Sequence, residues 1–304
     1  GKLSYFSQVY VAKGCRIVRF LKTKAHKDSQ SLSNKSVISK VKVYLPEFVK
    51  SEFLNSLSLS TENDKEINSE QEESLEMTLI NSANQDYYDL FYPEENINYI
   101  NPDDDLTKYF TFSNIKQGQV FEYEELESEI NYQDGSLFIK DYIYLEERNN
   151  ISKLNKVNLN NDNIKRVGMI SEGSGVANMF SIINNHFDKG FFSRIMNSIK
   201  GKQRAFSLMA IFNTSEEICF AEDLFKLGYK GDIFYYPVLK YPSEGFKFGK
   251  GLITKDYIED YMPDGRDQNG LLLVSGSEDF CFQLNDLLNE TNFVEGKNLF
   301  FYRI

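Results

Sequence analysis

The stretch Gly-Ser-Gly at 173–175 stands between an apolar run, residues 167–170, and a segment in which Val176, Met179, Phe180 and Ile183 recur at helical spacing. A strand, a small-residue turn and a helix in that order aim backbone N–H groups and a helix N-terminus at one point, which is the chemistry of phosphate binding. Tight turns also contain Gly-x-Gly, so the pattern alone leaves an ordinary turn open. Other chemistry is poorly served. Ser171 and Ser174 do not build a Gly-x-Ser-x-Gly elbow, and His186 falls late on a helix among asparagines, where a C-cap or exposed role is expected. Cys15, Cys219 and Cys281 are widely spaced and odd in number, which suits a reducing compartment, and Cys219 and Cys281 are expected on apolar helix faces in the core. With His26 and His186 as the only histidines and no Cys-x-x-Cys, no histidine or thiolate metal site is expected. The acidic run 103–105 lacks the alternating ligands and closing glutamate of a calcium loop.

The Gly-x-Gly turn has to be carried by its neighbours, and these alternate. Strands are expected over 167–170, 207–212, 231–238 and 270–275, with helices over 176–185, 215–227, 254–261 and 279–289. Such alternation predicts a C-terminal α/β domain with a doubly wound parallel sheet. Upstream, short runs at 37–45, 53–59, 75–80, 119–123 and 137–143 are broken by turn residues and predict a small N-terminal antiparallel β-barrel. The Asn/Lys-rich connection 149–162 marks the boundary. The expected organisation is a basic arm over 1–34, a barrel over 35–150 and the α/β domain over 151–304.

Charge is unevenly spread along the 304 residues, whose net charge is -11. Residues 31–160 carry 11 basic and 25 acidic side chains, a net of 11 − 25 = -14, which makes a poor host for nucleic acid. Residues 1–30 carry seven Lys/Arg against one acid, interleaved with Phe6, Val9, Tyr10, Ile17, Phe20 and Leu21. They are expected to form a basic, partly ordered arm; the sharper reading is an arm that docks on an acidic partner or a membrane surface, or the remainder of an organellar leader. Because the chain starts at Gly1, an initiator or a longer leader is expected to have been removed. No apolar run approaches the roughly 20 residues of a membrane-spanning helix.

Residues 167–180 resemble the "GMIAGGTGITPM" signature of NADH-cytochrome b5 reductases, in the ferredoxin–NADP reductase superfamily. Later landmarks follow in order: 208–217 resembles "LLFANQTEED", 235–242 "WYTVDKAP", 251–258 "GFVTKEMI" and 271–280 "VLVCGPPPM". Upstream, 36–46 resembles the family's first barrel strand, and 106–122 resembles "KMSQYLESMQIGDTIEF". The resemblance covers roughly 35–304 and implies an FAD-binding-like barrel followed by an NAD(P)-binding-like domain. It further implies a hydride passed from NADH to FAD and electrons passed on to a haem protein.

Several residues of that chemistry are missing. The family's Arg-x-Tyr-Ser/Thr flavin strand has no counterpart in the matching stretch, 56–66, and no arginine lies between Arg19 and Arg148. The family's "GKMS" becomes Asp104-Asp105-Leu106-Thr107, in which Thr107 keeps a hydroxyl beside two carboxylates. In the phosphate turn Gly173, Ser174 and Gly175 remain, but Glu172 and Asn178 replace a glycine and a proline. At the facing wall Gly276 remains, while Ser275, Ser277 and Glu278 replace the Cys and prolines of Cys-Gly-Pro-Pro. The residues kept from a cofactor site are thus Thr107, Gly173, Ser174, Gly175 and Gly276. The leading expectation is a catalytically inactive, reductase-like accessory subunit of a larger assembly, mitochondrial and respiratory, with no cofactor. One alternative is an active FAD-dependent NAD(P)H reductase in which Lys40, Lys42 or Lys50 replaces the arginine, and Tyr87–Tyr88 or Phe91–Tyr92 stack on the flavin. Another is an NAD(P)-binding module without flavin.

Overall fold

The computed structural model describes residues 1–23, 38–46, 74–80, 86–93, 115–127, 130–133, 136–139, 164–187 and 204–303. They form two compact units, one of Gly1–Tyr10 and Gly14–Glu127, the other of Ser128–Ile304 with Val11–Lys13.

The first unit is a closed antiparallel barrel of six strands. These are β1 (Lys2–Ala12), β2 (Cys15–Lys22), β3 (Ile38–Tyr44), β4 (Ser74–Leu79), β5 (Tyr87–Pro93) and β6 (Val120–Glu127), in the order β1-β2-β5-β4-β3-β6. Pairing of β1 with β6, Leu3 opposite Phe121, closes the ring and leaves no free edge. Alternate residues point inward, among them Leu3, Val18, Phe20, Val41, Val43 and Met77. Phe20 packs edge-on against Tyr5 and Phe121, with centroids 6.0 and 5.5 Å apart.

The basic arm expected over 1–34 is not an arm over its described part: Lys2–Lys22 is the first hairpin of the barrel. The barrel's own side chains absorb its charge. Inward-pointing Arg16 donates to Gln8 Oε1 at 2.8 Å and to the Tyr10 hydroxyl, with its guanidinium 4.1 Å from the Tyr10 ring centroid. Lys22, also inward, places Nζ 4.2 Å from the Tyr88 ring centroid, and the Tyr88 hydroxyl donates to Glu125 Oε1. Outward-pointing Arg19 pairs with Asp89 through both oxygens, at 2.6 and 2.7 Å. As a result, the run at 36–46, expected as the first barrel strand, is the third. Candidate strand 53–59 lies outside the described residues, and 137–143 is described only in part.

The second unit begins before the expected boundary at 150. It opens with a hairpin, β7 (Ile130–Gln133) and β8 (Ser136–Ile139). Its core is a six-stranded parallel sheet of β9 (Arg166–Glu172), β10 (Ala205–Phe212), β11 (Phe234–Leu239), β12 (Gly249–Lys250), β13 (Gly270–Gly276) and β14 (Leu299–Arg303), in the order β12-β11-β10-β9-β13-β14. The helices among the described residues are α1 (Val176–Phe187), α2 (Ala221–Tyr229), α3 (Lys255–Tyr261) and α4 (Glu278–Asn289). On one face Ile258 and Met262 from the α3 region and Phe280, Cys281, Leu284 and Leu288 of α4 pack on Ile170, Met209, Val238 and Val274. α1 lies on the other face, where Asn178 Nδ2 donates to Ser275 Oγ at 3.0 Å. The near-continuous apolar runs of β9, β10 and β13 are what a strand buried on both faces requires. β12 and β14, unforeseen from sequence, complete the two edges. Cys219 is buried as expected, but in the turn before α2 and not on a helix.

Candidate functional site

β9 continues to β10 on one side, while β13 lies on its other side, so the order of the parallel sheet reverses between β9 and β13. The crevice outside the carboxyl ends of such strands is where open α/β sheets take ligands. Gly173, Ser174, Gly175 and Gly276 all stand there. Glu172 ends β9, Gly173–Gly175 form one turn of 3-10 helix, and Val176 opens α1. Gly173 has φ +54°, so the chain turns sharply straight after Glu172. At Gly175 close approach is the constraint: an added Cβ would lie 2.6 Å from the Ser275 carbonyl oxygen. An added Cβ at Gly276 would lie 2.5 Å from Phe280 Cδ1 and 3.2 Å from Glu172 Cβ. Gly175 and Gly276 therefore serve packing between β9, β13, α1 and α4 whatever else they do.

The polar residues around this turn are bonded to one another. Glu172 Oε1 accepts from Lys240 Nζ at 2.7 Å, and Oε2 accepts from Ser277 Oγ at 2.8 Å. The Ser277 hydroxyl also accepts from the Phe280 N–H at 3.3 Å, capping α4. Lys240 follows β11, two strands from β9, so its side chain reaches over the end of β10, a span of about 9–10 Å at ordinary strand spacing. The Glu172 and Lys240 side chains are 21% and 28% exposed, so the pair is only partly screened by solvent. Beneath it, burial first and then the Glu172 carboxylate push the Cys281 thiol up to about 12. Ser171 is fully buried beside Ser275 on the α1 face, its Oγ without a hydrogen-bond partner.

No protein-family model matches the sequence. Over 128 residues, 42% of this chain, it is 25% identical to NADH-cytochrome b5 reductase 1 of Laccaria bicolor, of which the match spans 39%. Among solved structures, it is similar to the cytochrome b5 reductase domain of Ulva prolifera nitrate reductase with a TM-score of 0.65 at 12% identity, covering 99% of this chain and 96% of that one. The CS-b5R domains of human Ncb5or match with a TM-score of 0.65 at 14% identity over 99% and 69% of the two chains. Ferredoxin NADP+ reductase from Neisseria gonorrhoeae, with bound FAD and NADP, matches with a TM-score of 0.60 at 10% identity over 100% and 98%. The chain has the fold that these reductase structures share.

Within that reductase-like fold, four of the positions that depart from the resembled signatures bond in pairs. Glu172 meets Ser277, and Asn178 meets Ser275. A pyrophosphate laid against this turn meets the Glu172 carboxylate, with Lys240 already paired to it. With Glu172 held by Lys240 and Ser277, the residues present do not fit that group. Lys240 escaped notice in the sequence, where the available signal was a lysine just past the carboxyl end of a buried parallel strand. Thr107 with Asp104 and Asp105, the stretch 56–66 and Lys50 lie outside the described residues. Lys40 and Lys42 point out of the barrel on β3, but Tyr88 and Tyr92 point into its core and Phe91 is also buried. Tyr87 lies 4.3 Å from the Arg19 guanidinium. Of the four aromatics proposed to stack on a flavin, Tyr87 alone is not buried. His186 packs between Phe187 and Phe206, at centroid distances of 4.7 and 4.6 Å, and is not a free cap.

Proposed function

We propose that this chain keeps the reductase fold as a protein-binding framework, an accessory subunit of a larger assembly, and does not run a relay from NADH through flavin to haem. The observation that carries this reading is the composition of the barrel. None of its six strands contains Arg-x-Tyr-Ser/Thr, and the motif occurs nowhere in the sequence. Both barrel arginines are engaged, Arg19 with Asp89 and Arg16 with Gln8 and Tyr10. A flavin pyrophosphate would draw on either only by breaking those contacts, and guanidinium is the group best matched to a phosphate in two-point binding. The mitochondrial and membrane-surface expectations rested on a leader-like arm. Described residues 2–22 of that arm form a barrel hairpin, so the reading of a docking arm has no support from them.

The comparisons taken alone favour a second reading, an active flavin-dependent NAD(P)H reductase, since the curated relative is an NADH-cytochrome b5 reductase. The turn Gly173–Gly175 and the N-terminus of α1 support it too. The visible absorption spectrum of the purified full chain, with acid extraction of any bound cofactor, separates the two. No stoichiometric flavin is expected. A flavin band near one equivalent, bleached by NADH, overturns the framework reading in favour of the second.

A further inference from the structure

We propose that Glu172 is the built-in occupant of the phosphate seat at the β9–β13 switch point, held by Lys240 and Ser277, and that this one side chain excludes polyanions from the crevice. Four observations converge. Glu172 is the last residue of β9, so its carboxylate leaves the sheet where the strand order reverses. Both its oxygens are engaged, by donors from the ends of β11 and β13. The clasp thereby links strand ends β11, β9 and β13 across the end of β10, as a ligand bound there would. Its partners are matched: the single Ser277 hydroxyl proton goes to Glu172 while its oxygen caps α4, and Asn178 and Ser275 satisfy each other on the opposite face. Glu172 with Ser277, and Asn178 with Ser275, thus bond in pairs across the strand ends, while Ser171 Oγ, buried deeper in β9, has no hydrogen-bond partner.

The chemistry follows from charge. With the clasp closed, the lysine is neutralised and the carboxylate faces any incoming phosphate. Remove the carboxylate charge and the same place presents a free ammonium beside the amides of a helix N-terminus, a combination suited to a polyphosphate. Glu172 is thus a specificity-determining residue. Its role rests on the framework reading and deepens it, since the clasp keeps the nucleotide half of the fold shut.

The test uses the full chain, with inorganic pyrophosphate and NAD+ as probes, read by calorimetry and by the ligand-dependent shift in melting temperature. Wild type is expected to show no binding at millimolar concentrations. Glu172→Gln, which preserves shape and a hydrogen-bond acceptor for Ser277, is expected to bind pyrophosphate at least tenfold tighter than wild type, with an affinity that falls as salt rises. Adding Lys240→Met to it should abolish the gain. Glu172→Gly is the second variant should the first fold poorly, and the same gain is expected. Wild type binding either probe as tightly as the variants overturns the proposal, as does a folded Glu172→Gln or Glu172→Gly chain with no gain. The framework reading fails on a different result, flavin in the wild-type protein, so the two can fall independently.

Discussion

The two glycines of the turn look equivalent in the sequence and are not equivalent in space. An added Cβ at Gly175 would meet the Ser275 carbonyl oxygen at 2.6 Å, its carbonyl carbon at 2.9 Å and its Oγ at 3.0 Å, where ordinary contact begins at 3.4 Å. The shortfall against the oxygen is 3.4 − 2.6 = 0.8 Å. Ser275 cannot move to relieve it, because β13 is paired on one side with β9 and on the other with β14. Instead α1 must lift from the sheet, which strains the packing of Val176, Met179 and Ile183 and stretches the Asn178–Ser275 hydrogen bond. Overpacking of this kind costs about 1–3 kcal/mol, and the lost hydrogen bond about 1 kcal/mol more. Gly175→Ala is therefore expected to cost about 2–4 kcal/mol. Gly173 has nothing within 4 Å of an added Cβ, and only its left-handed φ of +54° resists substitution. That strain is about 1–2 kcal/mol. Urea and thermal unfolding of the two full-length variants, followed by far-UV circular dichroism, give the comparison. Gly175→Ala should melt first. If Gly173→Ala is equally or more destabilised, α1 does not pack on β13 as closely as described, and the packing account of these glycines is wrong.

Alkaline conditions should destabilise both units. Cys281 is pushed up to about 12 from an unperturbed 9.0, and burial also raises Tyr88, Tyr123 and Tyr235 above the ordinary tyrosine range. The unfolded chain releases these protons first, so stability is fully present below pH 9 and falls as pH rises towards 12, seen as a falling melting temperature. Within that account, Cys15 should react with a thiol reagent at neutral pH in the native protein well before Cys281 does; equal rates would contradict the burial of Cys281. In the barrel, Asp89→Asn and Arg19→Met should each cost about 0.5–1 kcal/mol, because Arg19 is part-exposed and solvent screens the pair. The double variant should lose less than the sum, and strict additivity in melting experiments would refute a coupled Arg19–Asp89 contact.

Much of the second unit was legible because its information is local. A strand buried on both faces must be an apolar run, and the helices between such strands show their own period. Hence β9, β10, β11, β13 and the four described helices overlap their expected places, although α2 starts at Ala221 and the first residues of its expected range, 215–217, form a 3-10 turn; Gly173 and Gly175 mark the turn from their spacing alone. β12, two residues long, and β14, at the sheet's far edge, carry too little pattern to announce themselves. In the barrel, charge concealed the period: β2 reads Cys-Arg-Ile-Val-Arg-Phe-Leu-Lys, and two of its four inward side chains, Arg16 and Lys22, are cationic. A sequence rule that sends cations to solvent has to misread it. Their charged heads lie over the rings of Tyr10 on β1 and Tyr88 on β5, a compensation that only the neighbouring strands supply.

The sequence by itself determined the barrel and α/β parts, the parallel α/β unit, the position of the Gly-x-Gly turn and the absence of an Arg-x-Tyr-Ser/Thr motif. Each of these is written in residues that are neighbours along the chain. Tertiary structure alone decided that the first hairpin closes a barrel, that Gly175 rather than Gly173 is held by contact, and that Glu172 is held by Lys240 and Ser277. Those partners are 68 and 105 residues away, brought within 2.7 and 2.8 Å because parallel strands share one carboxyl edge. In the sequence Glu172 is a misplaced acid. At the strand ends it is the centre of a matched set.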